Sequence, residues 1–325
     1  MIGLPLRYYG LPLLLVGFVA PVRAADPESL LVRMNNAAHN LDYQGVFVYQ
    51  RGNHLQNLRI VHKVSNGNVR ERLESLNGAP REVIRTEKEV RCYLPDENAV
   101  MIEHRRADSR NFPALLPASL STLRDNYTIR RGRDGRVAGR RVLSVAIQPK
   151  DAYRYGYQLW ADEATGLLLK ATLHGGHGTP VEQYMFAQVS IGGPIPESEL
   201  SPRHPSKHMV TRRVQEPPAP PDENHWAPEH LPPGFVLTAR MMHELPAHPF
   251  PVEHLVYSDG LAVVSVFVEP VNESSKSFEL KGLTQMGAVH AFGKIVDSHQ
   301  VTVVGEVPAA TVDMIGNSVA SASSR

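Results

Sequence analysis

The residues best equipped for chemistry are few and poorly grouped. His174 and His177 have H-x-x-H spacing, but they sit in a glycine-rich turn rather than on a helix, and no Glu follows in the metalloprotease pattern. Zinc needs three or four converging ligands, and 15 histidines make chance pairs of this spacing expected. The single cysteine, Cys92, falls within a β-prone run, where a buried inert thiol is the expected state. Nucleophile-elbow, P-loop and dinucleotide-binding motifs are absent from the sequence. The sequence therefore assigns no catalytic residue, no metal ligand and no cofactor.

One polar group stands out. Arg130, Arg131, Arg133 and Arg136, followed by Arg140 and Arg141, flank the Gly132–Gly135 turn. Arginine forks recognise phosphate and carboxylate, which makes the first four a candidate site for an anionic headgroup. Solvated turns and strand edges are the plainer account of the same residues.

The elements that would position such a site are strands. Tyr153–Leu173 reads as an aromatic run, a polar turn at Asp162–Gly166 and an apolar run, the pattern of an antiparallel hairpin. Alternation puts Tyr155, Tyr157 and Leu159 on one face and Gly156, Gln158 and Trp160 on the other. Ahead of it, Asp26-Pro27-Glu28 starts a helix whose apolar stripe is Leu30, Met34, Ala37 or Ala38, and Leu41. Short strands follow at 45–50, 55–64, 69–76, 82–85, 90–94 and 99–103, with Asn-Gly turns at Asn66-Gly67 and Asn77-Gly78. Arg70, Glu71, Arg72 and Glu74 are expected at solvated positions, where ion pairs contribute little. Strands resume at 127–130, 137–148 and 181–189. The spacing predicts on the order of ten strands, forming a strongly curved sheet or incomplete barrel around helices. The proline-punctuated stretch Phe112–Leu120 reads as a plug or a movable lid over an apolar ligand. Candidate wall residues for that ligand are Phe47, Tyr49, Phe112, Leu115, Leu116, Leu120, Tyr157 and Leu159.

The 325 residues, 42% hydrophobic and 21% charged, suit about two domains. Residues 1–24 have the pattern of a secretory signal peptide: one early Arg, a short apolar core, then Ala20, Ala24 and Ala25. Losing Arg7 and Arg23 takes the 34 basic residues to one fewer than the 33 acidic ones, a balance that gives no support for nucleic-acid binding. An exported chain with one cysteine and none near the cleavage point has no internal disulfide and no site for amino-terminal lipid attachment, which fits the bacterial periplasm. Residues 25–191 are expected to form the large β domain, 192–230 a Pro-rich spacer, and 231–325 a small α+β domain. That last domain has a hairpin at Ser258-Asp259-Gly260, strands at 288–292 and 300–307, and a helix from Pro308.

Several blocks together resemble the RseB/MucB family, periplasmic negative regulators of the envelope-stress sigma factor. They are GVFVYQRG (45–52), RERLESLNGAPREVIR (70–85), YRYGYQLWADEATGLLLK (153–170), LPPGFVLTAR (231–240), YSDGLAVVSVFVEP (257–270) and VTVVGEVP (301–308). The resemblance covers nearly the whole mature chain in order. It implies a mainly β protein with α: a large antiparallel half-open β-barrel enclosing helices, similar to lipoprotein carriers, plus a small α+β domain. It implies binding to the periplasmic domain of a membrane-spanning anti-sigma factor, protection of that partner from the site-1 protease, and release by lipopolysaccharide or lipoprotein acyl chains. The smaller domain is implied to make much of the anti-sigma contact, with Phe235, Tyr257 and Phe267 as candidates. The rival expectation is a lipoprotein or lipid carrier with no regulatory partner. Oligomeric state is left open.

Overall fold

The computed structural model describes residues 26–104, 123–203, 209–213, 226–243, 251–271 and 280–321. The signal-peptide reading and the wall candidates Phe112, Leu115, Leu116 and Leu120 lie outside the described residues.

Helix α1 (Pro27–Asn40) begins where expected. The Asp26 carboxylate accepts a hydrogen bond from the Ser29 N–H at 3.0 Å, and Pro27 occupies the first helical position. Its buried stripe is Leu30, Leu31, Met34 and Ala37. An antiparallel meander follows: β1 (Tyr43–Arg51), β2 (His54–Ser65), β3 (Asn68–Ser75), β4 (Glu82–Arg85), β5 (Glu89–Leu94) and β6 (Ala99–His104). The β2–β3 turn is Asn66-Gly67, both at positive φ, 53° and 79°.

A single turn of helix, α2 (Leu123–Asn126), leads into β7 (Tyr127–Arg131), β8 (Gly135–Val137), β9 (Arg140–Pro149), β10 (Gly156–Asp162), β11 (Leu168–His174) and β12 (Pro180–Ile191). β12 returns to pair with β1, which fuses the two halves into one sheet. With β13 (Val210–Arg213) added parallel to β6, the sheet has 13 strands; its path runs from β13 to β7, with β8 branching from β9. Two ends remain on that path, so the sheet curls without a closing pair among the described residues. α1 packs on its inner face, against β7, β9 and β11. There Leu30, Leu31 and Met34 share a core with Phe47, Ile60, Val145, Leu159 and Phe186.

The remaining strands build a smaller unit. β14 (Trp226–Pro228) pairs with β21 (Val319–Ser321). β15 (Val236–His243), β16 (Val252–Ser258), β17 (Val263–Pro270), β18 (Gly282–Met286), β19 (Val289–Val296) and β20 (His299–Gly305) form a sheet in the order β15-β16-β17-β20-β19-β18. α3 (Ala309–Ser318) covers it, burying Val312 and Ile315 against Val264, Val266, Val301 and Val303.

Four expectations need correction. The strand read over 137–148 is two strands, because Ala138 and Gly139 take positive φ of 49° and 75° and reverse the chain. Tyr153–Tyr155 precedes β10 rather than belonging to it. The stretch read as a spacer is partly structured. It supplies β13 and β14, and before them Ile195 and Leu200 pack against Val61 on the outer face of the large sheet.

That last contact explains the fourth correction. Arg72, expected in solvent, is 1% exposed. It donates to Glu82 at 2.5 Å, to Glu74 at 2.6 Å and to the Glu199 carbonyl at 2.6 Å. Alternation places Arg72, Glu74 and Glu82 on the outer face, and residues 195–203 fold back over them, with Arg203 N donating to the Glu82 carboxylate. Glu71 points inward and is buried with Arg85 as its partner.

Candidate functional site

Alternate residues of β1, namely Phe47, Tyr49 and Arg51, share the inner face. Their cross-strand partners are Leu58, Gln56 and His54 on β2, and Phe186, Tyr184 and Glu182 on β12. Tyr184 in turn faces Ala171, and Tyr157 faces Leu173. α1 covers one half of this face. The other half is open and forms a cavity of about 560 Å³ lined by Phe47, Tyr49, Leu58, Leu73, Tyr157, Leu173 and Tyr184, with Arg51, Arg81, Glu182 and Glu306 as its charged groups. A second lobe of about 500 Å³ shares Tyr49, Arg51, Gln56 and Arg81 with the first. It continues over Ser75, Asn77 and Pro80 to Leu94, Glu97 and Met286. Both lobes expose more apolar than polar surface and meet at a charged waist, an arrangement that suits an amphiphile with its chain in a lobe and its polar group at the waist.

The waist is organised on Glu182, which is 9% exposed. Its carboxylate accepts from Tyr49 Oη at 2.6 Å and from Arg51 Nε at 2.5 Å. Burial, and then the hydrogen bond to Glu182, push the Tyr49 phenol well above its ordinary range, so it stays a protonated donor. Arg81 is exposed and makes no ion pair with the described residues, so the waist carries one cation beyond its carboxylate pairing.

The small unit forms part of this site. Glu306 follows β20 and lines the first lobe, and Met286 of β18 lines the second. A buried junction fixes the two sheets together. Arg154 donates to Asp259 at 2.8 Å and to the Pro233 carbonyl at 2.5 Å, while Tyr127 Oη donates to Asp259 at 2.9 Å. The guanidinium lies 5.5 Å from the Tyr127 ring centre and 5.3 Å from that of Phe235. Thr311 Oγ1 donates to the Tyr153 carbonyl at 2.6 Å.

Of the wall candidates within the described residues, Phe47, Tyr49 and Tyr157 line the cavity. Leu159 does not; it is fully buried in the core that α1 covers. The candidate headgroup arginines are also elsewhere. Arg130, Arg133 and Arg136 are exposed at the β7–β9 end of the sheet, Arg131 pairs with Asp134 at 2.8 Å, and none of the four lines either lobe. Arg51, Arg81 and Glu182 were missed. The signal for Arg51 was its place in the period-two series Phe47, Tyr49, Arg51; Arg81 carries no such signal. Among the partner candidates, Phe235 and Tyr257 are core residues, 4% and 3% exposed, because both face α3 or the junction. Phe267 is half-buried on the opposite face, stacked on His254 at 4.2 Å.

The remaining chemical candidates are isolated. His174 Nδ1 lies 3.0 Å from the Gly178 carbonyl. Cys92 is half-buried in β5, and burial raises its thiol pKa. Among the described residues no three His, Cys, Asp or Glu side chains cluster as metal ligands, and no helix is long and apolar enough to cross a membrane.

Comparison with known proteins places the same two units in order. The MucB/RseB N-terminal domain model matches residues 26–204 and the MucB/RseB C-terminal domain model matches residues 220–320. The sigma factor AlgU regulatory protein MucB of Pseudomonas aeruginosa is 34% identical over 321 residues, covering 94% of this chain and 96% of that protein. The sigma-E factor regulatory protein RseB of Escherichia coli K12 is 25% identical over 91% of this chain and 92% of its own. Among solved structures, the Pseudomonas aeruginosa MucA/MucB complex matches with a TM-score of 0.72 at 33% identity, covering 91% of this chain and 99% of that one. MucB in complex with MucA(peri) matches at 0.70 and 32% identity, covering 91% and 98%.

Proposed function

The chain belongs to the MucB/RseB family, and from that premise we propose that it is a periplasmic negative regulator of an envelope-stress sigma factor. It binds the periplasmic domain of a transmembrane anti-sigma factor, protects it from site-1 proteolysis, and releases it when lipopolysaccharide or a mislocalised lipoprotein occupies the cavity. It works by binding alone, without catalysis. Residues 25–191 serve as the lipid-sensing unit, 192–230 as the connection and 231–325 as the unit that grips the anti-sigma factor.

The observation that carries this reading is the shared cavity: Glu306 and Met286 of the small unit help to wall a pocket whose floor belongs to the large sheet. An acyl chain entering it gains about 0.8 kcal/mol per buried CH₂. A few kcal/mol of that, realised in only one arrangement of the two units, shifts partner binding by orders of magnitude. A carrier acting alone has no use for a second unit built into the wall of its pocket, which favours the regulator over the carrier. The headgroup is held at the Arg51–Arg81 waist between the two lobes, neither of which the Arg130–Arg136 cluster lines.

The test is to bind the mature chain to the anti-sigma periplasmic domain, expose the complex to the site-1 protease, and add a lipid A-type amphiphile. Protection that disappears on adding the amphiphile is expected; protection indifferent to it would remove the sensing half of the proposal, and no binding at all would remove the whole of it.

A further inference from the structure

Arg51 touches both units. Its Nε is bound to Glu182 in the cavity waist, while its aliphatic stem lies on the β18–β19 turn: a Cβ placed on Gly287 would fall 2.7 Å from Arg51 Cγ and 3.0 Å from Cδ. The strand that leads into that turn is lightly held, although Ala288 on its far side is buried against Tyr155 and Leu173. β18 is an edge strand paired, among the described residues, with β19 alone, and all five of its residues, Leu283 and Met286 included, are exposed. Segments with few buried contacts open most readily.

The waist is also unevenly charged. Glu182 is 10% exposed at its side chain and holds Tyr49 as well as Arg51, whereas Arg51 is 37% exposed, with its guanidinium 5.8 Å from the Tyr49 ring centre. Arg81 lines both lobes beside it without an ion pair among the described residues. An anion between Arg51 and Arg81 would receive two charge-assisted forks and leave Glu182 its hydrogen bond from Tyr49.

We propose that Arg51 couples the cavity to the small sheet: the phosphate-type headgroup of a single-chain amphiphile, seated beside Arg81, takes Arg51 from Glu182, lifts its stem off Gly287 and loosens the β18–β19 turn. This rests on the amphiphile reading of the cavity and adds the residue through which occupancy is transmitted. By linkage, a change that displaces the Arg51 stem tightens amphiphile binding by up to the factor by which the amphiphile loosens the turn.

The experiment measures calorimetric binding and amide hydrogen exchange of the mature chain with dodecyl phosphate, dodecyl maltoside and inorganic phosphate. Dodecyl phosphate is expected to bind and to speed exchange across Gly282–Ala288 about tenfold. Dodecyl maltoside binds more weakly and leaves exchange unchanged, and inorganic phosphate alone does neither at equal concentration. Arg51→Gln binds dodecyl phosphate without the change in exchange. Gly287→Ala keeps Arg51 but displaces its stem and also strains the turn, where Gly287 holds a φ of 63°, so the coupling is read from its affinity: it binds dodecyl phosphate about tenfold tighter. Bound dodecyl phosphate with unchanged exchange in the parent chain would overturn the coupling and leave the cavity reading standing. Failure of both amphiphiles to bind would overturn the cavity reading and the coupling with it. Loosening by inorganic phosphate alone would overturn the amphiphile as the trigger.

Discussion

Arg154 and Asp259 meet across the two units, Nη1 to Oδ2 at 2.8 Å, with neither side chain exposed to solvent. The remaining valences are also used. Asp259 Oδ1 accepts from the Leu261 and Ala262 N–H groups at 2.8 and 2.7 Å, and Arg154 Nε donates to Asp151 at 3.1 Å. Removing one partner leaves an uncompensated buried charge, which costs about 3–5 kcal/mol. Asp259→Ala is therefore expected to lower stability by about that amount in urea unfolding. The double variant Arg154→Met, Asp259→Ala should recover part of the loss. A single-variant loss below about 1 kcal/mol would show that water reaches the pair in its absence.

His62 gives the fold a pH dependence near neutrality. Its ring stacks on Tyr43 at 4.6 Å, and its Nδ1 lies 3.0 Å from the Leu41 carbonyl. Burial lowers its pKa, with Glu71 and that carbonyl offsetting only part of the effect. The unfolded chain therefore takes up a proton at this site before the folded chain does. The associated stability is fully present above the unfolded value of about 6.5 and is lost as the pH falls toward the folded value. Urea midpoints measured from pH 8 down to about pH 5 should decline, and His62→Phe should flatten that limb. An unchanged slope in the variant would assign the decline to another group.

Asp162 acts at lower pH. Burial raises its pKa, but the hydrogen bond from Arg140 at 2.7 Å and those from Thr165 outweigh it, and the net shift is downward. Its contribution is present above the ordinary carboxylate value of about 3.9 and disappears as the pH falls through the folded value. Asp162→Asn should lower the midpoint at pH 7 and show a shallower loss between about pH 4 and pH 2 than the parent. Parallel curves would mean that the Arg140 pair adds nothing to the acid limb.

The cavity can be closed from its mouth. Gln56 is exposed and lines both lobes opposite Tyr49. Gln56→Trp keeps strand propensity and fills the waist with an aromatic ring. Dodecyl phosphate affinity is expected to drop by at least about tenfold, or about 1.4 kcal/mol, while the urea midpoint moves by no more than about 0.5 kcal/mol equivalent. Undiminished affinity would place the amphiphile outside this pocket.

Legibility followed the period of the pattern. The capped α1, the meander from β1 to β6 and the hairpin at Asp259 were readable because one face of each meets a core and the turns carry Asn-Gly or Asp-Gly. What escaped was whatever depends on a distant segment returning. Arg72 reads as a solvent-face residue until residues 195–203 cover it, and β18 is not read as a strand because its five exposed residues have no buried face. Likewise Leu159 and Tyr157 share one face of β10, and only the position of α1 makes one core and the other cavity wall. The Arg130–Arg141 run was the loudest charge signal, yet several of its members are tied to local partners, as Arg131 is to Asp134 and Arg140 to Asp162. The arginines at the waist are single and quiet.

The three aromatic candidates for partner binding separate on burial, and this gives a direct test. Phe235 packs beneath the Arg154 guanidinium and Tyr257 lies in the core of the small sheet, so Phe235→Ala is expected to cost about 3–5 kcal/mol of stability. Phe267 stands on the other face, alternating with Val266 and Val268, and only its stack on His254 is at stake there. Phe267→Ala should therefore cost no more than about 1.5 kcal/mol in urea unfolding. It should weaken binding to the anti-sigma periplasmic domain by about 2 kcal/mol if this face forms part of the contact. Calorimetric titration of the folded variant against that domain decides the point, because an unchanged affinity would move the partner to another face of the small unit.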